Sequence, residues 1–305
     1  MFNWRFWLTK QPTFKQAADE WLYKQQSHWA SQAFDRAKIH FEGWVYPVIG
    51  NKKISRITPK HIANIIRESG INAPSRARLI LQRLNRVFRY AKACGWIKTN
   101  PAEGLGEMLE PINYRGFAFL QSAEMPQFFA DISRKSNHTL PEYTALLLLA
   151  YTAVRRSEAC LAEWCEFDWQ SSTWTIPARR MKKRRAHLVP LAPQVIRLLQ
   201  DWLKQREALG ITGSCLFGEM AVHRPIELIK QAKWQKRMTI HGFRKVFSTA
   251  AHESNLWSMD AIELQLAHAI PGVRGVYNKA CMLEERRRMM TWYAKQIDQW
   301  RGFTP

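Results

Sequence analysis

The chain is poor in acidic residues. Its 305 residues carry 25 Asp and Glu against 46 Lys and Arg, a formal net charge of +21. The carboxylates that are present form no cluster along the sequence, which speaks against a metal-dependent nuclease built on acidic ligands. The five cysteines (Cys94, Cys160, Cys165, Cys215, Cys281) are odd in number and form no Cys-x-x-Cys pair. Both facts argue against a disulfide framework or a structural zinc site and for a reducing cytoplasm. No stretch approaches 18 consecutive apolar residues, so no transmembrane helix is expected. The N-terminus has Trp4, Phe6 and Trp7 but no apolar run with a small-residue cleavage site, so no signal peptide is read. Internal repeats and low-complexity tracts are missing too.

What is present is enough to fold. A hydrophobic content of 46% supplies buried cores. The large positive charge asks for a polyanionic partner. Its cations are spread over many elements rather than held on one amphipathic helix, which disfavours a membrane surface.

Residues 1–11 read as an N-terminal linker. Thr13 caps a helix from Phe14 to about Trp29, and a second helix covers Gln32 to Tyr46, stopping before Pro47. Thr58-Pro59 opens a third helix to about Glu68. Pro74-Ser75 opens a long fourth one to about Cys94, with Leu79, Leu84, Val87, Phe88 and Ala91 as its apolar stripe. Its other face carries Arg76, Arg78, Arg83, Arg86, Arg89 and Lys92. Four helices, one strongly basic, predict an all-α DNA-clamping domain over residues 12–111. Gly104, Gly106, Pro111 and Gly116 mark a domain boundary, and a second domain covers residues 118–305.

The second domain starts with a helix from Ser122, capped by that serine, to Ile132, then a buried helix from Pro141 to about Ala153. Ser157 is positioned to cap a helix Glu158–Trp164. The period then changes to short strands near Glu166–Trp169, Trp174–Ile176 and Ala186–Leu191. Arg179, Arg180, Lys182, Lys183, Arg184 and Arg185 crowd the last connection, six cations in seven residues that suit a DNA groove. Helices follow at Pro193–Leu209, Ile226–Lys236, His241–Glu253, Met259–Ala267 and Met282–Trp300. The class is mainly α (α+β), with a small antiparallel sheet in the second domain.

Metal-free phosphodiester exchange needs a nucleophile, cations on the non-bridging oxygens and a proton for the leaving 5′ oxygen. Arginine suits the clamp because its planar fork binds phosphate bidentately. Arg155 emerges from the end of an apolar helix, and His241 and Arg244 share one helical face. His268 and Tyr277 lie nine positions apart across Pro271-Gly272. Each feature alone is weak.

Together and in order they form a pattern. It runs through Thr152-Ala153-Val154-Arg155-Arg156-Ser157-Glu158 and Trp174-Thr175-Ile176-Pro177, then Met181-Lys182 and His187-Leu188-Val189-Pro190-Leu191. It continues in His241-Gly242-Phe243-Arg244, Gln265-Leu266-Ala267-His268 and Val276-Tyr277-Asn278. This resembles the catalytic domain of the tyrosine recombinases, specifically the phage- and island-type integrases. The helix with Val87-Phe88-Arg89-Tyr90-Ala91, then Asn100-Pro101, resembles that family's core-binding domain.

The resemblance implies a site-specific DNA recombinase acting through a covalent 3′-phosphotyrosine. Arg155 and Arg244 would clamp the phosphate, His241 would handle a proton, and His268 would donate to the phosphate. Lys182, or its neighbour Lys183, would protonate the leaving oxygen; Tyr277 would be the nucleophile, and Glu158 would support the site from behind. Arg76, Arg83, Arg86, Arg179, Arg180, Lys183, Arg184 and Arg185 are the expected DNA contacts. Implied partners are duplex DNA, three further copies in a tetramer docked through the helix from Met282, and DNA-bending proteins or an excisionase. No cofactor or metal is implied, and the expected location is the cytoplasm, at the nucleoid.

Two departures stand out. Ala153 occupies a position where the family usually has Gly, and Arg156-Ser157 follow Arg155. The sequence also begins too late for the arm-binding N-terminal domain of the larger integrases to be expected in it: either the protein manages without arm sites or the sequence is truncated. The rival readings are a nicking–closing enzyme of topoisomerase IB type and a recombinase-derived DNA-binding regulator with weakened catalysis.

Overall fold

The computed structural model describes residues 11–27, 29, 31–111, 116–136, 140–268 and 282–303. The expected linker, apart from Gln11, and the Pro271-Gly272 turn with Tyr277 lie outside the described residues. The chain divides into two compact units, Met1–Tyr114 and Arg115–Pro305.

The first unit is helical. Thr13 accepts from the Gln16 backbone N–H while the Gln16 side chain accepts from the Thr13 N–H, so α1 (Phe14–Gln25) starts on a reciprocal cap. Helix α2 (Ser31–His40) does not stop before Pro47. It runs on as widened π-type turns over Phe41–Gly50 with Pro47 inside. A proline ring in an α-helix clashes with the carbonyl four residues back; the wider π-type turn eases that clash, at the cost of the one hydrogen bond that Pro47 cannot donate. Pro59 and Pro74 open α3 (Pro59–Gly70) and α4 (Pro74–Ala93), as expected from a residue whose missing N–H costs nothing in a first turn. Phe14, Phe41 and Phe88 are fully buried where these helices meet. The α4 stripe is wider than expected: Ala77, Ile80 and Leu81 join Leu84, Val87, Phe88 and Ala91, and Leu79 is only half-buried.

The second unit begins differently from the sequence reading. Ser122 is not a cap. A 3-10 turn, Ser122–Glu124, is capped by Gln121, whose N–H donates to Glu124 Oε2 at 2.9 Å, and it leads into α5 (Met125–Lys135). Helix α6 (Pro141–Thr152) is apolar all round and buried from Glu142 to Thr152, the mark of a central helix. It packs against α8 (Pro193–Ala208), α9 (Arg224–Gln231) and the last helix, α12 (Leu283–Trp300). Helix α7 is only Arg156–Cys160, and Ser157 does not cap it; Arg155 holds the cap position. Helix α9 is also shorter than its pattern, turning at Ala232 where Lys233 takes a left-handed φ of 62°.

Three antiparallel strands, β1 (Phe167–Asp168), β2 (Thr173–Ile176) and β3 (His187–Pro190), form the sheet in sequence order. Trp174 pairs with Val189 and Ile176 with His187. That register places the cationic 178–186 connection at one end of the sheet. Helices α10 (Gly242–Glu253) and α11 (Met259–Gln265) complete the described fold.

Candidate active site

The site is built at the ends of helices. The first is the C-terminus of α6. Ala153 closes that helix in the left-handed conformation, φ 54° and ψ 23°, with no exposed surface. Its backbone turns the chain so that Val154 and Arg155 leave in an extended direction, and Arg155 becomes the residue that opens α7. Glu158, one turn later and 2% exposed, accepts from the Arg155 backbone N–H at 2.7 Å and from its Nη1 at 2.8 Å. One buried carboxylate thus fixes both ends of the arginine, and the pair is charge-assisted and sheltered from water.

The second is the N-terminus of α10. His241 sits at its cap position and Arg244 one turn inside, so both lie on one side. Gly242 is required between them: a Cβ there would stand 2.6 Å from the Ala118 carbonyl oxygen. The approach of that segment also brings the Phe117 ring to 4.3 Å from the His241 ring. Arg244 is 4% exposed. Its Nη1 donates to the Ala153 carbonyl at 2.7 Å and its Nη2 to the Leu266 carbonyl at 2.6 Å.

The third is the C-terminus of α11. Ala267 takes a left-handed φ of 49°, with its N–H bonded to Leu264 O and the His268 N–H to Glu263 O, both at 3.0 Å. This is a Schellman closure with alanine where glycine is usual. It delivers the Leu266 carbonyl to Arg244, the Ala267 carbonyl to Arg155 Nη2 at 3.4 Å, and His268 Nε2 to Arg244 Nη2 at 3.1 Å. Arg244 can only donate, so Nε2 of His268 accepts and its proton sits on Nδ1, 2.8 Å from Glu263 Oε2.

The structure therefore brings Arg155, Glu158, Arg244 and His268 together through bonds, with His241 on the same face as Arg244. Burial pulls His241 below the usual imidazole range, and Arg244, Arg155 and His268 push the same way. It is neutral near pH 7. Burial, then Arg155, lowers Arg244 to about 10, which still leaves it charged.

Sequence reasoning missed three members of this region. Arg286, in the first turn of α12 and 2% exposed, donates from Nε and Nη2 to Gln265 Oε1 at 3.2 and 2.8 Å and from Nη2 to Leu188 O at 2.6 Å. Gln265, fully buried, donates to Thr152 O at 3.1 Å. His187 Nε2 meets Gln265 O at 3.2 Å, and burial, then Arg286, drives this histidine down to about 3. The three tie α6, β3, α11 and α12 together directly beneath the arginines. Gln265 and His187 stood within the quoted motifs; Arg286 belonged to none.

The cations expected to touch DNA divide. Lys182, Lys183, Arg184 and Arg185 are exposed in the β2–β3 connection, and Arg184 has a left-handed φ of 51°. Arg179 is exposed and reaches Glu163 at 3.1 Å. Arg180 is turned inward and bonded to Glu166 at 2.6 Å. On α4, Arg86 is exposed, but Arg83 is not on the solvated face. It is buried and donates to His40 Nδ1 at 2.7 Å. Arg76 donates to Ser69 O at 2.7 Å and lies 4.4 Å over the Trp44 ring. In each case a carbonyl, ring or acid within the same unit has claimed the cation. Among the described residues, no three His, Cys, Asp or Glu side chains converge as metal ligands.

An all-helical unit, a second unit with a three-stranded sheet, and two arginines meeting a histidine behind a buried glutamate are features of the tyrosine site-specific recombinases. Comparison with known proteins agrees. Residues 118–282 match the phage integrase family and residues 14–108 the phage integrase central domain. The chain belongs to the phage integrase family, and it is a site-specific tyrosine recombinase of prophage or mobile-element type. It is 32% identical over 287 residues to prophage integrase IntZ of Escherichia coli K12, covering 93% of this chain and 71% of that protein. It is 33% identical over 296 residues to the integrase of Shigella phage Sf6, covering 94% and 76%. Its fold is that of the solved lambda integrase dimer bound to a COC′ core site, with a TM-score of 0.66, 15% identity and coverage of 85% and 96%. The Tn1549 transposon integrase, solved with a circular intermediate DNA, gives a TM-score of 0.69 at 14% identity, covering 85% and 92%.

Proposed function

We propose that Arg155 and Arg244 hold the scissile phosphate of duplex DNA while Tyr277 attacks it. The observation that carries this reading is the convergence of both guanidiniums on Leu266–His268, with Glu158 buried behind Arg155. Two arginines bonded to backbone carbonyls keep their direction but can exchange those neutral acceptors for an anion, a stronger partner.

The tyrosine oxygen bonds to phosphorus, the P–O5′ bond breaks, and Lys182 gives its proton to the departing 5′ oxygen. Neutral His241 is able to take the tyrosine proton. His268 donates to a non-bridging oxygen, which requires a proton on Nε2 as well as on Nδ1; Glu263, 2.8 Å away, compensates that added charge. A 5′-hydroxyl from a partner strand then displaces the tyrosine and returns the protons in reverse. The phosphotyrosine conserves the energy of the broken bond, so no nucleotide is consumed.

In this reading residues 12–111 form a core-binding unit that grips the backbone through Arg86 and its exposed neighbours, and residues 118–305 carry catalysis. Four copies act on paired sites, docked through the last helix. A solved lambda integrase tetramer bound to a Holliday junction, with a TM-score of 0.64 to this chain, supports DNA binding and multimeric action. DNA-bending proteins or an excisionase would set direction. The test is to incubate the full chain with a plasmid carrying two attachment sites and sequence the products. Exchanged junctions are expected; relaxed plasmid without exchanged junctions would point to a nicking–closing enzyme.

A further inference from the structure

Arg180 stands two residues before Lys182, yet it does not face solvent as its neighbours do. Its side chain is 12% exposed, against 67% for Arg179. Its Nε and Nη2 grip the two carboxylate oxygens of Glu166 at 2.8 and 2.6 Å. The same Nη2 reaches Glu158 O at 3.1 Å, and Nη1 reaches Ser157 O at 3.4 Å. Glu166 is itself buried and accepts from Trp174 Nε1, in β2, at 2.9 Å.

One guanidinium therefore ties the root of the β2–β3 connection to helix α7 and to Glu166, the residue before β1, which in turn holds Trp174 of β2. Helix α7 is the element whose Glu158 holds Arg155. A cation neutralised by a buried acid adds little attraction for DNA, and a buried ion pair is a poor source of net stability. What it does supply is geometry, because a bidentate fork fixes both distance and angle.

We propose that Arg180 is a positioning residue. It holds the base of the β2–β3 connection at a set distance from α7, so that the loop lysine meets the leaving 5′ oxygen of a phosphate clamped by Arg155. This rests on the reading of the site given above. A misplacement of about 1 Å in such an arrangement costs on the order of 10²-fold in rate.

The test uses the full chain and a nicked duplex carrying the attachment site, made with either the ordinary 5′ oxygen or a bridging 5′ sulfur at the scissile bond. Sulfur departs as a thiolate and needs no proton. Arg180→Ala is expected to slow covalent-complex formation on the oxygen substrate by about 10²-fold, and to run within about threefold of wild type on the sulfur substrate. Arg180→Lys, which keeps the charge but loses the fork, should follow it. So should Glu166→Gln, which alters a group buried within the protein. DNA affinity and its salt dependence should be unchanged in all three. Equal slowing on both substrates, or weaker binding with a smaller salt slope, overturns the proposal. A wild-type chain that forms no complex with either substrate overturns the underlying reading of the site, and this proposal with it.

Discussion

Arg244 Nη1 lies 2.7 Å from the carbonyl oxygen of Ala153, and Ala153 is the residue held in the left-handed conformation at the end of α6. The unusual backbone angle and the buried arginine are parts of one device. Turning the chain at Ala153 aims its carbonyl at Arg244 and sends Arg155 toward Glu158. Ala267 does the same at the end of α11, where its neighbour Leu266 supplies the second carbonyl to Arg244.

Ala267→Gly is therefore expected to stabilise the protein slightly, and Ala153→Gly to be close to neutral, because the Ala153 methyl is packed in the core. An alanine in this conformation costs about 1–2 kcal/mol, and the added freedom of glycine in the unfolded chain returns about 0.4–1 kcal/mol. Ala267→Gly should gain roughly 0.5 kcal/mol, a rise of 1–2 °C or so in Tm by calorimetry, whereas Ala153→Gly also gives up about 0.8 kcal/mol of methyl burial and should leave Tm nearly unchanged. A clear loss of stability from Ala267→Gly would contradict this.

Arg244→Lys should fold but fail in chemistry. Lysine keeps a charge yet cannot reach two carbonyls and a phosphate as a fork does. Covalent-complex formation is expected to fall by on the order of 10²–10³-fold, measured by single-turnover trapping. Near-normal rates would mean that the guanidinium is structural.

His187 makes stability depend on acid. Its folded value, about 3, lies below the ordinary 6.5, so the unfolded chain binds the proton first. The contribution is complete above pH 6.5 and is lost as pH falls toward about 3. Between pH 7 and pH 5 this one group should cost about 2 kcal/mol, and His187→Gln, which can still donate to the Gln265 carbonyl, should remove that part of the slope. Denaturant titrations at the two pH values provide the check; identical slopes for both proteins would contradict it.

Arg286→Met should destabilise by about 2–5 kcal/mol, because it strands Gln265 Oε1 and the Leu188 carbonyl in a dry interior. Thermal unfolding reads this directly. A neutral result would mean that other donors can take over the Gln265 network.

On α4 the two arginines Arg86 and Arg83 should separate cleanly. Arg86→Ala should leave stability alone and reduce the log–log salt slope of DNA binding by about 1, from a total near −7 if about 8 phosphates are neutralised. Arg83→Ala should lower Tm, since it abandons His40 and the Arg36 carbonyl in the core of the first unit. Equal salt effects from both would place Arg83 on DNA.

Much of this was legible in the sequence, and the misses share a physical cause. Thr13, Pro59, Pro74 and Pro193 announced their helix starts because caps are local chemistry. The order of Arg155, His241, Arg244 and His268 was readable as a motif, and Ala153 as an odd residue at a strained place. Pro47 misled because its cost depends on the width of the turn around it. Arg76, Arg83 and Arg180 misled because helical or loop position cannot tell a solvated cation from one claimed by a distant carbonyl or acid. For Arg180 that acid is Glu166, fourteen residues away in sequence, immediately before the neighbouring strand β1. Arg286 gave no signal at all, since its partners come from β3 and α11.

In the proposed mechanism these groups serve a tyrosine nucleophile, and covalent trapping reports on that step. A nicked duplex carrying the attachment site, which on cleavage releases a short fragment with a free 5′-hydroxyl, is incubated with the full chain and resolved on a denaturing gel. A protein–DNA band is expected from wild type, with Tyr277 identified as the attached residue by peptide mass, and no band from Tyr277→Phe. A wild-type chain that binds this DNA but forms no covalent complex, or a Tyr277→Phe variant that forms one as well as wild type does, would contradict the account.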